Sequence, residues 1–367
     1  MADDVLRVGI IGASAKAGGW AARAHLPALS KVRGVELTAV CTSRQESAEE
    51  SAKLFGARLA FHDHREMLRR PDIDAVGVVV GAPQHHKLTM DCLRAGKHVF
   101  TEWPLGISTA EAEEMADMAR RQGVHTMVGL QGRYSAELIH VKRLIDEGFV
   151  GEVLAVHMSL LQQIPGALSR APGRLWQRHK SMGGSILNIQ FAHDIDSLCM
   201  VLGEFETVSA IASTQIHQWR VEGTDEIVDV DAPDDVLLSG RLRSGALVSA
   251  HVATLPWHGS GYRTEVYGLE GTLVIEASGS PHVEPARVLG GRASDPALHE
   301  IPVPQESWVT EAGLPNFAIN IAKAWRSFAE CITRGDPAGP DFDDAVARHR
   351  FIDAVQRASD TGQAQAV

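Results

Sequence analysis

The chain has 367 residues, 44% of them apolar, and a formal net charge of −11. That size is enough for a large core and favours two domains over one. The acidic balance, with no lysine or arginine stripe to neutralise phosphates, argues against non-specific nucleic-acid binding, and no run is apolar enough to span a bilayer. The four cysteines, Cys41, Cys92, Cys199 and Cys331, lie far apart without a C-x-x-C pair. They read as buried apolar fillers, not as a zinc site or a disulfide framework. Met-Ala-Asp-Asp at the start has no basic region of the signal-peptide kind, so a cytoplasmic protein is expected.

In chain order, Val5 to Ile11 reads as a strand that runs straight into a glycine-rich turn and then a helix. Gly9 and Gly12 permit a tight turn, Gly18 and Gly19 permit close approach, and the helix N-terminus offers N–H groups to a pyrophosphate. The second glycine of the usual G-x-G-x-x-G is Ser14, and one extra residue precedes Gly18. A serine can still donate to phosphate, so the pattern is a variant of a dinucleotide site. Its candidate residues are Gly12, Ser14, Ala15, Lys16, Gly19 and Trp20.

Val35 to Cys41, Ala75 to Val80, His98 to Thr101 and His125 to Leu130 are further β-branched runs with helical patterns between them, which predicts a doubly wound parallel sheet over residues 1–128. One of those helices starts at Ser108, with Glu111 three residues on and Ala112, Met115, Ala116 and Ala119 along one face. The second strand ends Cys41-Thr42-Ser43-Arg44. Two hydroxyls and a guanidinium at Ser43 and Arg44 suit the 2′-phosphate of NADP better than the ribose diol of NAD, unless Glu46 turns back to the ribose.

From Val150 the strand-like runs follow one another without regular helices: Leu154 to Leu161, Val208 to Ile216, Val236 to Arg243, Leu247 to Thr254 and Arg263 to Gly268. Turn signals between them suggest antiparallel pairing. Asn316 to Thr333 and Phe342 to Ser359 read as helices.

The glycine-rich turn, Ala82-Pro83-Gln84-His85-His86, Gly96-Lys97-His98-Val99-Phe100-Thr101-Glu102-Trp103-Pro104, Gly183-Gly184 leading to His193 and Asp196, and Gly268-Leu269-Glu270-Gly271-Thr272-Leu273 stand in an order that resembles the Gfo/Idh/MocA (glucose-fructose oxidoreductase/inositol dehydrogenase) family. The resemblance covers nearly the whole chain. It implies an α/β protein: an N-terminal Rossmann domain, then a C-terminal α/β domain, residues 129–367, on a large, mostly antiparallel, open-faced sheet that joins subunits into a homodimer or homotetramer. The last helices would pack back on the first domain. It also implies an NAD(P)-dependent oxidoreductase with Pro83, His86, Glu102, Trp103 and Gln131 as cofactor contacts, a sugar, cyclitol or similar polyol substrate, and no metal.

Two positions depart from the family pattern. Its Glu-Lys-Pro lysine is Trp103 here, and an indole has no charge to stabilise an alkoxide. Its Asp-x-x-x-His pair has Ile189 four residues before His193, with Asn188 five before. An additional residue or a π-type bulge would return Asn188 to the face of His193. His193 is then the candidate proton-transfer group, Asn188 a holder of substrate hydroxyls, and Lys180 a stand-in for the missing lysine. Both departures resemble a branch that includes the fungal galactose repressor, so a non-catalytic, dinucleotide-sensing regulator with a protein partner is the alternative to an enzyme.

Overall fold

The computed structural model describes residues 5–15, 19–163, 167–304, 313–336 and 338–367. They fall into two compact units, Met1–Gln131 with Thr310–His349, and Gly132–Val309 with Arg350–Val367.

The first unit is built on a parallel sheet of six strands: β1 (Leu6–Ile11), β2 (Val35–Cys41), β3 (Leu59–Phe61), β4 (Ala75–Val78), β5 (His98–Thr101) and β6 (Thr126–Val128), in the order β3-β2-β1-β4-β5-β6. The sequence runs overreach at the ends of β4 and β6, and β3, only three residues long, escapes a reading by runs. Buried on both faces, β1 and β4 are almost wholly apolar, as parallel strands between helices must be. The helices are α1 (Leu26–Leu29), α2 (Gln45–Phe55), α3 (His64–Leu68), α4 (His85–Arg94) and α5 (Thr109–Gln122). In α5 the Ser108 side chain accepts from the Glu111 N–H, and Ala112, Met115, Ala116 and Ala119 are the buried face. The Glu111 carboxylate reaches back to the N–H of Ile107, one residue short of a reciprocal capping box.

A helix from far along the chain, Asn316–Arg334, completes this unit's core. Its Trp325 is fully buried and packs on Phe100 with ring centroids 4.8 Å apart. Trp325 Nε1 donates to His25 Nδ1 at 3.1 Å, and His25 Nε2 lies 2.7 Å from the Glu102 carboxylate. An indole N–H can only donate, so Nδ1 is the acceptor and the ring proton sits on Nε2, pointing at Glu102.

The second unit opens with α6 (Ala136–Asp146) and contains α7 (Ala192–Leu202), buried from Ala192 to Cys199, which is preceded by a π turn at Leu187–Phe191. Its strands are β7 (Val153–Gln163), β8 (Ser169–Arg170), β9 (Phe205–Ser213), β10 (Gln218–Val221), β11 (Ile227–Asp229), β12 (Asp235–Leu242), β13 (Leu247–Leu255), β14 (Gly261–Gly268), β15 (Gly271–Ala277), β16 (Arg287–Arg292), β17 (His299–Glu300) and β18 (Gln365–Ala366). Nine of them form one sheet in the order β17-β16-β15-β14-β7-β13-β12-β9-β18. Every pairing in it is antiparallel except β7 with β13, which run parallel. Chain-neighbour logic gives hairpins and cannot give that central pair, because β7 meets β13 only after β9 and β12 are laid down. The remaining three strands make a small sheet, β11-β10-β8, whose Trp219 is buried with Val221, Val228 and Val230. Trp219 is therefore core there.

The registers put Ile211, Leu237, His251, Ser159 and Arg263 side by side on one face of the large sheet. By the two-residue period of strands, Ser239, Leu247, Ser249, His157, Glu265 and Tyr267 share it. Ile211, Leu237, Leu247 and Tyr267 are exposed. The face is thus mixed, apolar residues standing among serines and charges. The other face carries Val156, Met158 and Leu160, Val236 and Leu238, and Val248, Ala250 and Val252, all buried.

The two helices at the C-terminal end are α8 (Asn316–Arg334) and α9 (Phe342–Thr361), each within two residues of its sequence-expected limits.

Candidate functional site

In the first unit the strand order reverses between β1 and β4, and ligands of such sheets bind beyond the carboxyl ends of the strands at that reversal. Gly12 lies there at φ +88°. A Cβ on it would come 2.1 Å from the Val79 carbonyl oxygen, so only glycine fits the turn. Beside it opens a cavity of about 380 Å³, lined by Gly12, Ser14, Thr42, Ser43, Arg44, Ser47, His62, His64, Gln84 and apolar neighbours. None of the lining residues is a carboxylate. Glu46 is exposed in the first turn of α2 and is absent from the lining.

The hydroxyls at the end of β2 divide their work. Thr42 Oγ1 donates to the Arg44 carbonyl at 2.8 Å and lies 2.6 Å from Ser47 Oγ, which donates to the same carbonyl at 2.9 Å. Thr42 and Ser47 therefore shape the turn, and Ser43 and Arg44 are left exposed. Arg44 is the N-cap residue of α2 and makes no side-chain cap bond. The backbone N–H groups of that first turn thus face outward beside a guanidinium, as anion sites at helix starts do.

The other dinucleotide candidates are placed as follows. Trp20, just before the π turn Ala21–His25, has its indole Nε1 buried with no hydrogen-bond partner among the described residues, and the Gln131 amide oxygen is buried in the same condition. Buried polar atoms cost free energy unless something pairs with them, so the Trp20 indole N–H, a donor, and the Gln131 amide oxygen, an acceptor, fit polar atoms of a dinucleotide. Gly19 is exposed and Ala15 half-buried. Lys16, with Gly18, lies outside the described residues. At the start of α4 the lining residues are Gln84 and Leu88, not Pro83 and His86. His86 turns to Glu114 on α5, 2.8 Å away, and Pro83 is exposed. The buried histidine of the pair is His85, between the carbonyls of Pro104 and Val80, and burial holds its pKa down.

Glu102 is buried and tied to His25, so its orientation is set by a chain of bonds that begins at Trp325. A Cβ at Gly129 would stand 2.7 Å from its Oε1. Trp103 is buried against His349, ring centroids 4.7 Å apart, and the Trp103–Pro104 peptide is cis. Burial pushes the His349 pKa down to about 4. The sequence reading missed His25, Trp325 and His349 because each acts across a long stretch of chain.

In the second unit the π turn at Leu187–Phe191 shows as a hydrogen bond from the Phe191 N–H to the Ile186 carbonyl at 2.9 Å. This wider turn is what a five-residue spacing needs if Asn188 and His193 are to share a face. Asn188 Oδ1 accepts from Ser185 Oγ at 2.5 Å. His193, Asp194 and Asp196 all lie in the buried first turns of α7. Asp196 receives both Nε and Nη2 of Arg133 at 2.9 Å, a bidentate pair that engages Arg133 within this unit. The His193 ring stacks on His282, centroids 4.2 Å apart and planes 7° off parallel. His282 Nδ1 lies 2.5 Å from Ser280 Oγ, which in turn donates to Asp194. Burial pushes the Asp194 pKa up to about 7 against the opposing Ser280 bond; burial, then the neighbouring His193, holds His282 well below the usual histidine value. Ser280 and His282 sit in the turn after β15, where no periodic signal marks them. Lys180 is exposed, and its backbone N–H donates to Asp231. Its described bonds do not join it to the His193 cluster. Among the described residues no three histidine, cysteine or acidic groups gather as a metal site, and no helix is long and apolar enough to cross a membrane.

A parallel sheet that reverses at β1 and β4, with a turn only glycine can make, defines a dinucleotide-binding fold of the Rossmann kind. Residues 6–130 match the oxidoreductase family with an NAD-binding Rossmann fold, and residues 138–274 match the GFO/IDH/MocA C-terminal domain. The chain belongs to this GFO/IDH/MocA family, and the protein is a nicotinamide-dinucleotide-dependent dehydrogenase or reductase of CH–OH groups. It is 27% identical to dehydrogenase aclE of Aspergillus oryzae over 98% of this chain and 97% of that one. With levoglucosan dehydrogenase of Pseudarthrobacter phenanthrenivorans it shares 30% identity over 74% and 73% of the two chains. A solved levoglucosan dehydrogenase in complex with NADH and L-sorbose superposes with a TM-score of 0.86 at 25% identity, covering 99% of this chain and 98% of that one. The regulatory protein GAL80 of Saccharomyces cerevisiae is 26% identical over 65% of this chain and 58% of its own.

Proposed function

We propose that the protein is an NADP-dependent dehydrogenase of a sugar, cyclitol or similar polyhydroxylated compound, with His193 as its proton-transfer group. The observation that carries the cofactor choice is the cavity at the end of β2, which presents Ser43 and Arg44 and no carboxylate. A carboxylate there would accept from a ribose diol and repel a 2′-phosphate; a guanidinium and a serine do the reverse. The dinucleotide supplies the hydride chemistry when bound. Gly12 and Ser14 would take its pyrophosphate and Gln131 its amide end.

His193 would take the proton from a substrate hydroxyl in oxidation and return it in reduction, a task an imidazole performs near neutral pH. Asn188, held by Ser185, would orient a second hydroxyl. Lys180, whose backbone N–H is held by Asp231, would help to position the substrate. Trp103 has no charge to offer an alkoxide, so charge stabilisation falls to the imidazolium of His193. The mixed exposed face of the large sheet would join two or four copies.

The test is growth of the reduced-nicotinamide absorbance when the NADP+-loaded protein meets a fractionated metabolite extract and then a panel of sugars and cyclitols. His193→Ala should lower turnover by about two to four orders of magnitude with cofactor affinity unchanged. Full turnover in that variant would remove His193 from the role. The buried Trp103 where the family has lysine favours a second reading, a dinucleotide-sensing regulator. A flat trace with NADP binding intact would support it.

A further inference from the structure

The helix α7 buries three ionisable side chains, His193, Asp194 and Asp196, in its first five residues, and Asp196 is neutralised by the Arg133 guanidinium. Asp194 instead meets a hydroxyl. Its Oδ1 accepts from Ser280 Oγ, its Oδ2 is buried with no hydrogen-bond partner among the described residues, and Ser280 Oγ also lies 2.5 Å from His282 Nδ1. One hydroxyl with one proton thus stands between a carboxyl and an imidazole, all three groups buried. The far side of that arrangement is the His282 ring laid flat on His193 at 4.2 Å.

We infer that Asp194, Ser280 and His282 form one proton-sharing relay, and that His282 is a positioning residue for His193. The inference rests on His193 as the proton-transfer group only for its catalytic meaning; the relay itself stands on the geometry of these three residues.

The proton count leaves two arrangements. With Asp194 ionised, Ser280 donates to it, so the bond between Ser280 and His282 requires a proton on Nδ1, and Nε2 carries a lone pair. When one proton is added at His282 Nε2, the Nδ1 proton passes to Ser280 Oγ and the former Ser280 proton passes to Asp194. The result is a neutral acid that donates to Ser280, a hydroxyl that donates to His282 Nδ1, and a ring protonated at Nε2. Three protons are then held where there were two, the net charge has gone from minus one to zero, and His282 is neutral throughout. This avoids both a buried imidazolium and a lasting buried carboxylate, the two costly states. Burial that raises Asp194 and lowers His282 favours this sharing.

The other titratable groups around the relay do not compete for the proton. Tyr262 on β14 has its pKa raised by burial and by the Asp194 charge, so it stays a phenol. Arg133 and Asp196 are closed on each other. His193, on the same helix, meets His282 face to face, a geometry that stacks and does not transfer a proton. The relay therefore sets which charge and which ring tautomer stand behind His193.

The test is ring-nitrogen NMR on the full-length protein labelled with 15N-histidine, with the His282 signals assigned by their loss in His282→Gln. In the unsubstituted protein His282 should pass from the Nε2–H tautomer to the Nδ1–H tautomer as pH rises from about 5 to about 9, without forming imidazolium. In Asp194→Asn the side-chain amide donates to Ser280 as the carboxylic acid would, and His282 should stay in the Nε2–H form throughout. Ser280→Ala should uncouple the ring from pH. A single His282 tautomer across the whole range in the unsubstituted protein would overturn the relay, and so would a tautomer switch that survives in Asp194→Asn. No substrate is needed, so failure of the relay and failure of the His193 assignment are read in separate experiments.

Discussion

Replacing Arg44 with alanine should weaken NADPH binding about tenfold and leave NADH binding unchanged. Arg44 is exposed at the head of α2 on the cavity wall, and it has no ion pair among the described residues, so its removal breaks nothing inside the protein. A charge-assisted hydrogen bond to a phosphate is worth about 1.5–3 kcal/mol. In an open cavity, solvent and salt hold that to the lower end, about 1.5 kcal/mol, which is about a tenfold change in Kd. Arg44→Asp should go further, weakening NADPH more and improving NADH, since it places a carboxylate where a ribose diol could use it. The assay is a fluorescence titration of both reduced cofactors into each variant at low and moderate salt. Equal losses for the two cofactors would refute the reasoning, as would an unsubstituted protein that binds NADH as tightly as NADPH. A loss that vanishes when Ser43 is also replaced would shift the contact from the guanidinium to the turn.

Two more expectations concern the first unit. His349 is held at about 4 while an unfolded histidine titrates near 6.5, so as pH falls from about 6.5 to about 4 the unfolded chain takes up a proton that the folded one refuses. His349→Phe keeps a ring against Trp103 and should remove that acid sensitivity, up to about 3 kcal/mol over the window; urea unfolding at the two ends would show it, and parallel decline in both proteins would disprove it. Gly12→Ala forces a Cβ to 2.1 Å from the Val79 carbonyl at a φ of +88°, so thermal melts should show a lowered Tm and no stabilisation by added NADPH. An unchanged NADPH-dependent shift would mean that the pyrophosphate is held elsewhere.

Local signals were legible in the sequence wherever a few adjacent residues settle the outcome. The Ser108 cap and the buried face of α5 follow from spacing alone, and the five-residue gap between Asn188 and His193 foretold a widened turn, which the Leu187–Phe191 segment supplies. Thr42 was less legible. It carries the same hydroxyl as Ser43, but only the folded turn shows that it is spent on the Arg44 carbonyl. The parallel pairing of β7 with β13 was hidden because pairing partners are chosen by the whole sheet. The contacts of Trp325 with His25 and of Ser280 with Asp194 join positions far apart in the chain, and no local pattern encodes them.

The return of α8 to the dinucleotide-binding unit has a consequence for how the protein is made. On a ribosome the six strands of that unit are complete long before Trp325 has been joined to the chain. Until then Phe100 lacks the indole it packs on and His25 Nδ1 lacks its donor. A fragment cut after Gln131 would carry the glycine turn and every strand of the parallel sheet, yet expose an apolar face and leave His25, which holds Glu102, without the Trp325 donor that fixes its tautomer. The nascent first half must therefore wait, vulnerable to aggregation or in need of a chaperone, until the last part of the message is translated.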